Sequence, residues 1–184
     1  MGRIVKAMHG HSSSRAKTVK GITFCIHNIQ ITKHNVDIAL HKNWNSARKL
    51  HRFGRGPFCK FKIQDHLDEK GLYCFLINHK VKYIGKVTGN STFRKRFNQG
   101  YGHISPYNCY QRGNGHSGGR MTNCHVNCCV NQEYLSGKVI QVGFCTMNDD
   151  IVISKLEKDL INDEKPKWNI QYKYPNTQIK AEKK

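Results

Sequence analysis

The sequence predicts an α+β fold, a small three-stranded antiparallel sheet flanked by helices with a basic N-terminal extension. Three features predict it: a strand–turn–strand pattern over 71–85, a third strand and a one-faced helix between 138 and 161, and an acid-poor N-terminal stretch. In GLYCFLI (71–77), Tyr73, Phe75 and Ile77 fall on one face and Leu72, Cys74 and Leu76 on the other. Asn78-His79-Lys80 reads as a turn, and VKYIG (81–85) as the returning strand of a hairpin. Ser91 or Thr92 is placed to cap a helix through FRKRFNQ. Residues 100–120 are rich in Gly and read as an extended loop, and Thr122 or Asn123 starts a helix to about Leu135. KVIQVGFCT is the third strand, and Asn148-Asp149-Asp150 caps a helix through Ile161.

The N-terminal side is less regular. Residues 1–20 read as a basic arm, GITFCIHNIQIT (21–32) as a strand, and 36–52 as a short helix carrying Lys42, Arg48, Lys49 and Arg52. The predicted organisation is a basic DNA-binding subdomain over 1–70, a core over 71–170 with a recognition loop at 100–120, and a polar tail over 171–184. No apolar run is long enough to span a membrane, and the N-terminus lacks the apolar stretch of a signal peptide. The expected location is therefore the cytoplasm of a prokaryotic cell.

Charge narrows the partner. There are 31 Lys+Arg against 12 Asp+Glu, a formal net charge of +19. From Met1 to Gln64 the only acid is Asp37, against 13 Lys/Arg, and residues 70–132 contain no acid at all. Such a surface suits a polyanion, above all nucleic acid. It also argues against a nuclease whose metals rest on clustered carboxylates.

Eight cysteines (25, 59, 74, 109, 124, 128, 129 and 145) are read as mostly free thiols. Cys124-His125-x-x-Cys128-Cys129, with Cys109 and His116 upstream, invites a zinc reading, but the spacing is irregular. Small buried thiols on a helix face are the favoured alternative.

On the last helix Ile153, Leu156, Leu160 and Ile161 share one face, and Glu157 lies inside that apolar arc. A carboxylate turned inward needs a buried cation or a metal.

Gly71-Leu72-Tyr73, nine residues, then Tyr83-Ile84-Gly85 resembles the hairpin of the GIY-YIG nuclease superfamily. The basic helix, the inward Glu157 and Trp168-Asn169 extend the resemblance over about 71–170, and Leu72 departs from the family's Ile. YGHISPYNC (101–109) and TNCHVN (122–127) look like the type II restriction branch. The resemblance implies Tyr73 and Tyr83 as the motif tyrosines, with Tyr73 the general base and Lys86 beside it. It implies Glu157 as the sole metal ligand, for one Mg²⁺ or Mn²⁺, and Asn169 as the polar residue completing the site. Periodicity does not choose between Arg94 and Arg96, and the family pattern favours Arg96. Relatives often carry His or Tyr four residues further on, where this chain has Gly100, followed by Tyr101 and His103.

The implied activity is metal-dependent, site-specific hydrolysis of double-stranded DNA, leaving 5′-phosphate and 3′-hydroxyl ends. Candidate DNA contacts are Arg112, Arg120, His116, Asn108, Asn114, Lys82, Lys95, Tyr101 and His103. A short palindromic target implies a homodimer. The alternatives are a homing or phage-type nuclease and a non-catalytic nucleic-acid-binding protein.

Overall fold

The structure, a computed structural model, describes residues 15–36, 50–111 and 121–170. Arg112, Asn114, His116 and Arg120, most of the helix expected over 36–52, and the C-terminal tail lie outside the described residues.

The fold is α+β, but its main sheet has five strands, not three. The expected hairpin forms from β5 (Gly71–Ile77) and β6 (Lys80–Val87), and β7 (Ile140–Thr146) pairs with the free edge of β5. Two further strands, β1 (Arg15–Val19) and β2 (Ile22–Asn28), extend the sheet beyond β7 in the order β1-β2-β7-β5-β6, antiparallel throughout. The expectation of a basic arm separate from the sheet is thus corrected from residue 15 onward. Alternation in ITFCIHN identifies a strand but not its partner, and Phe24 and Ile26 are needed to complete one face of the core. A second sheet pairs β3 (Gln30–Val36) with β4 (Phe58–Lys62).

The hairpin turn has Asn78 and His79 at φ 47° and 63°. Two consecutive positive φ values are what a tight turn between twisted antiparallel strands requires. All seven residues of β5 are buried, because both faces of the sheet are covered. Tyr73, Phe75 and Ile77 pack with Phe93, Phe97, Tyr101, Val126 and Phe144, while Leu72, Cys74 and Leu76 pack with Phe24, Ile26 and the last helix.

Two of the helices carry the expected caps. Thr92 caps α1 (Phe93–Arg96), which continues into one wide π turn at Phe97–Tyr101. A short α2 (Pro106–Cys109) interrupts the expected loop, and its capping box uses Ser105 and Asn108. Helix α3 spans Met121–Leu135. Asp149 caps α4 (Asp150–Glu164), which buries Ile153, Glu157, Leu160 and Ile161 against the sheet, as its periodicity predicts. Among the described residues no helix is long and apolar enough to cross a membrane.

Candidate active site

The site is built where β5, β6 and the π turn meet. Tyr73 and Tyr83 project from the same face of the hairpin, with Tyr73 opposite Gly85 and Phe75 opposite Tyr83. Gly71 opens β5 at φ 140°, and a Cβ there would lie 2.2 Å from the Cys145 carbonyl oxygen, so the strand pairs tightly only with glycine. At Gly85 a Cβ would fall 2.4 Å from the Tyr73 hydroxyl and 2.5 Å from its ring. The bare backbone of Gly85 is what lets the Tyr73 phenol lie across β6. Gly85→Ala is expected to cost about 1–3 kcal/mol by overpacking, because Tyr73 is enclosed and cannot move aside. Denaturant titration checks this, and unchanged stability would mean that the phenol has room.

The π turn supplies a third tyrosine. Gly102 donates to the Phe97 carbonyl at 2.7 Å, five residues back rather than four. The widened turn carries Tyr101, five residues after Arg96, to the position that a regular helix would give to residue 100. This corrects the expectation that Tyr101 contacts DNA: it is 1% exposed, and its hydroxyl lies 2.7 Å from that of Tyr73 and 3.2 Å from that of Tyr83. Tyr101 donates to Tyr83, so its only hydroxyl proton is committed and its oxygen accepts from Tyr73. The Tyr73 oxygen thus keeps lone pairs for an incoming proton.

Helix α3 holds this turn in place. Asn127 donates to the Tyr101 carbonyl and clamps both backbone groups of Cys59, accepting from its N–H and donating to its C=O at 2.8 Å each. Asn169 does the same for β6: it accepts from Ile84 N–H at 2.9 Å and donates to Ile84 C=O at 2.7 Å. Asn169, implied to complete the site, is therefore a positioning residue whose amide grips the strand between Tyr83 and Gly85.

The arginines separate cleanly. Arg94 pairs with Asp68 at 3.3 Å on the surface. Arg96 turns toward the phenols, and its buried Nε has no hydrogen-bond partner among the described residues. Lys86 alternates to the other face of β6 and meets Glu157 at 3.0 Å. The expectation that Lys86 assists Tyr73 is corrected accordingly, because the cation acting on Tyr73 is Arg96. Glu157 is 5% exposed, and its negative field reaches Tyr73 and Tyr83. Lys86 engages Oε2. A buried carboxylate of this kind fits a hard divalent cation that keeps most of its waters.

Burial pushes Tyr73, Tyr83 and Tyr101 well above the ordinary phenol value, with further upward pressure from neighbouring phenols and downward pressure from Arg96. Raised phenols hold their protons in the folded state longer than in the unfolded chain. Their contribution to stability is therefore complete below about pH 10 and is lost as pH rises above it, at about 1.4 kcal/mol per pH unit for each phenol. The protein is expected to lose stability steeply in strong alkali, and Tyr101→Phe to flatten that loss. Urea midpoints between pH 9 and 11 measure it, and an identical slope in the variant would contradict the assignment.

Beside Arg96 opens a polar cleft of about 550 Å³ lined by Lys95, Gln99, Ser105, Asn108 and Asn123. Asn123 is 2% exposed, and its Nδ2 has no partner among the described residues. Lys95 and Asn108, both named as candidate DNA contacts, line this cleft, and the Asn108 side-chain oxygen is engaged in the α2 cap. His103 is exposed nearby in sequence, and Lys82 lies on β6, half-buried. Sequence reasoning gave no site role to Gln99, which carries no motif, or to Asn123, which it read only as part of the TNCHVN stretch and as a helix start. It misassigned Tyr101, whose only signal was its spacing of five from Arg96. The cysteines behind the less favoured zinc reading do not converge among the described residues: Cys109 and Cys124 approach to 4.0 Å, whereas Cys128 faces the Phe53 carbonyl and Cys129 lies against His125.

No protein-family model, curated protein or solved structure matches the chain.

Proposed function

We propose that the protein is a metal-dependent, site-specific DNA endonuclease of the GIY-YIG type, acting as a restriction enzyme. The observation that carries this reading is the buried hydroxyl chain Tyr73–Tyr101–Tyr83 with Arg96 beside it and Glu157 within its field. A packed core needs no such row of hydroxyls next to a guanidinium whose buried Nε has no partner among the described residues.

In the proposed reaction Tyr73 accepts the proton of the attacking water as it passes its own to Tyr101, Tyr101 passes its own to Tyr83, and Tyr83 gives one up to the leaving 3′-oxygen, so each phenol ends neutral. A relay of this kind avoids a free phenolate, which burial makes costly. Arg96 binds phosphoryl oxygens through its fork of donors. Mg²⁺ or Mn²⁺ held by Glu157 would neutralise phosphoryl charge and the leaving oxygen. Lys86 orients Glu157. The acid-free surface from 70 to 132 and the Lys95–Asn123 cleft draw in the DNA backbone. The proposed substrate is a short palindrome cut by a homodimer in the cytoplasm.

Incubation with several unrelated plasmids, with and without Mg²⁺, tests the reading. Discrete fragments that require the metal are expected. Stable binding without any cleavage would replace it with a non-catalytic nucleic-acid-binding role.

A further inference from the structure

Outside this site, one cluster has the chemistry of a metal ligand set. Cys25 and His27 stand two residues apart on β2, so both side chains leave the same face of the sheet. His66 approaches them from the loop between β4 and β5. One ligand atom from each of the three lies within 4.8 Å of the others, and no other such group occurs among the described residues. The rings of His27 and His66 meet edge to face at 5.2 Å, and both lean on Phe144.

Two carboxylates stand behind the histidines. His27 Nδ1 lies 3.0 Å from Asp65 Oδ2, and His66 Nδ1 lies 2.8 Å from Glu69 Oε2. A carboxylate on Nδ1 fixes the tautomer, leaving the Nε2 lone pair for a metal. His27 Nε2 is buried and has no hydrogen-bond partner among the described residues. The chain is poor in acids, yet three of the four acids in residues 1–70 (Asp65, Asp68 and Glu69) fall in this loop.

We propose that Cys25, His27 and His66 bind one Zn²⁺, with Asp65 and Glu69 orienting the two imidazoles. One thiolate and two imidazoles suit zinc among the available divalent metals, and water completes the tetrahedron. Zinc bond lengths of about 2.0–2.3 Å put ligand atoms about 3.3–3.8 Å apart, so closure needs side-chain rotations of about 1 Å. The metal ties β2 to the loop whose Leu67 and Glu69 carbonyls accept the first N–H groups of α1, from Arg94 and Phe93, at 2.9 Å each. It therefore anchors the helix that carries Arg96.

Titration of the metal-free full chain with Co²⁺ tests the site. One equivalent is expected to give a thiolate charge-transfer band and strong tetrahedral visible bands. Cys25→Ser should lose the thiolate band, Asp65→Asn should bind about 10–100-fold more weakly, and Cys145→Ser should match the unsubstituted chain. Far-ultraviolet circular dichroism confirms that each variant is folded. Should Cys25→Ser not fold, His66→Ala, on the half-exposed loop, is expected to lose tetrahedral binding. Absence of the band in the unsubstituted chain overturns the proposal, as does a band that survives in Cys25→Ser or tetrahedral binding that survives in His66→Ala.

Discussion

Glu157→Gln is expected to lower DNA cleavage by about 10³-fold or more while leaving DNA binding intact. The carboxylate is 5% exposed and meets a single cation, Lys86, at 3.0 Å. Glutamine fills the same volume, so the packing of α4 on the sheet is retained. What disappears is the negative charge, and with it the proposed anchor for a divalent cation whose transition-state stabilisation would be several kcal/mol, at tenfold in rate per about 1.4 kcal/mol. Lys86 is left unpaired but is one-third exposed, so water solvates it and the stability cost is small. Removing a negative charge from a cationic protein leaves affinity for DNA equal or slightly higher. Single-turnover cleavage beside a binding isotherm separates the two effects. Wild-type cleavage by the variant would remove Glu157 from the mechanism.

Arg96→Ala is expected to slow cleavage by about 10²–10³-fold, the usual loss for one positioned donor at a developing charge. Arg94→Ala is expected to stay within a few-fold of the unsubstituted chain. The two residues are two positions apart on one short helix, yet their settings differ. Arg94 is 46% exposed and pairs with Asp68, which is 81% exposed, so its loss removes a screened surface contact. Arg96 stands among Tyr73, Tyr83 and Tyr101 with a buried Nε that lacks a partner among the described residues, a donor held ready for an anionic group. Parallel rate measurements on one plasmid decide between them. Equal losses would mean that neither arginine touches the reacting phosphate.

The tyrosine chain also bears on the spacing that the GIY-YIG resemblance implies. A regular helix after Arg96 would bring Gly100 to the site. The π turn adds one residue per turn and brings Tyr101 instead, and Asn127 fixes the turn by its bond to the Tyr101 carbonyl. The extra residue is therefore read as part of the site.

The sequence by itself determined what is written locally. Alternation marked β5, β6 and β7, the Asn78-His79 turn marked the hairpin, and the 3.6-residue period showed that Glu157 points inward. The GIY-YIG resemblance, rather than local pattern, singled out Tyr73, Tyr83 and the pair of candidate arginines. Only the tertiary structure decided the rest, because each remaining feature depends on segments far apart in the chain. Strand β2 joins β7 across more than 110 residues, which no local pattern specifies. Arg94 and Arg96 are nearly equivalent by periodicity, and Asp68, from another loop, separates them. The amide of Asn169 is taken by Ile84, 85 residues away, and Lys86 is drawn from the phenols by Glu157 on another helix. Cys25 and His27 share a strand face legibly, but His66 reaches them only through the folded loop. Periodicity tells which way a side chain points, and long-range packing decides what it meets there.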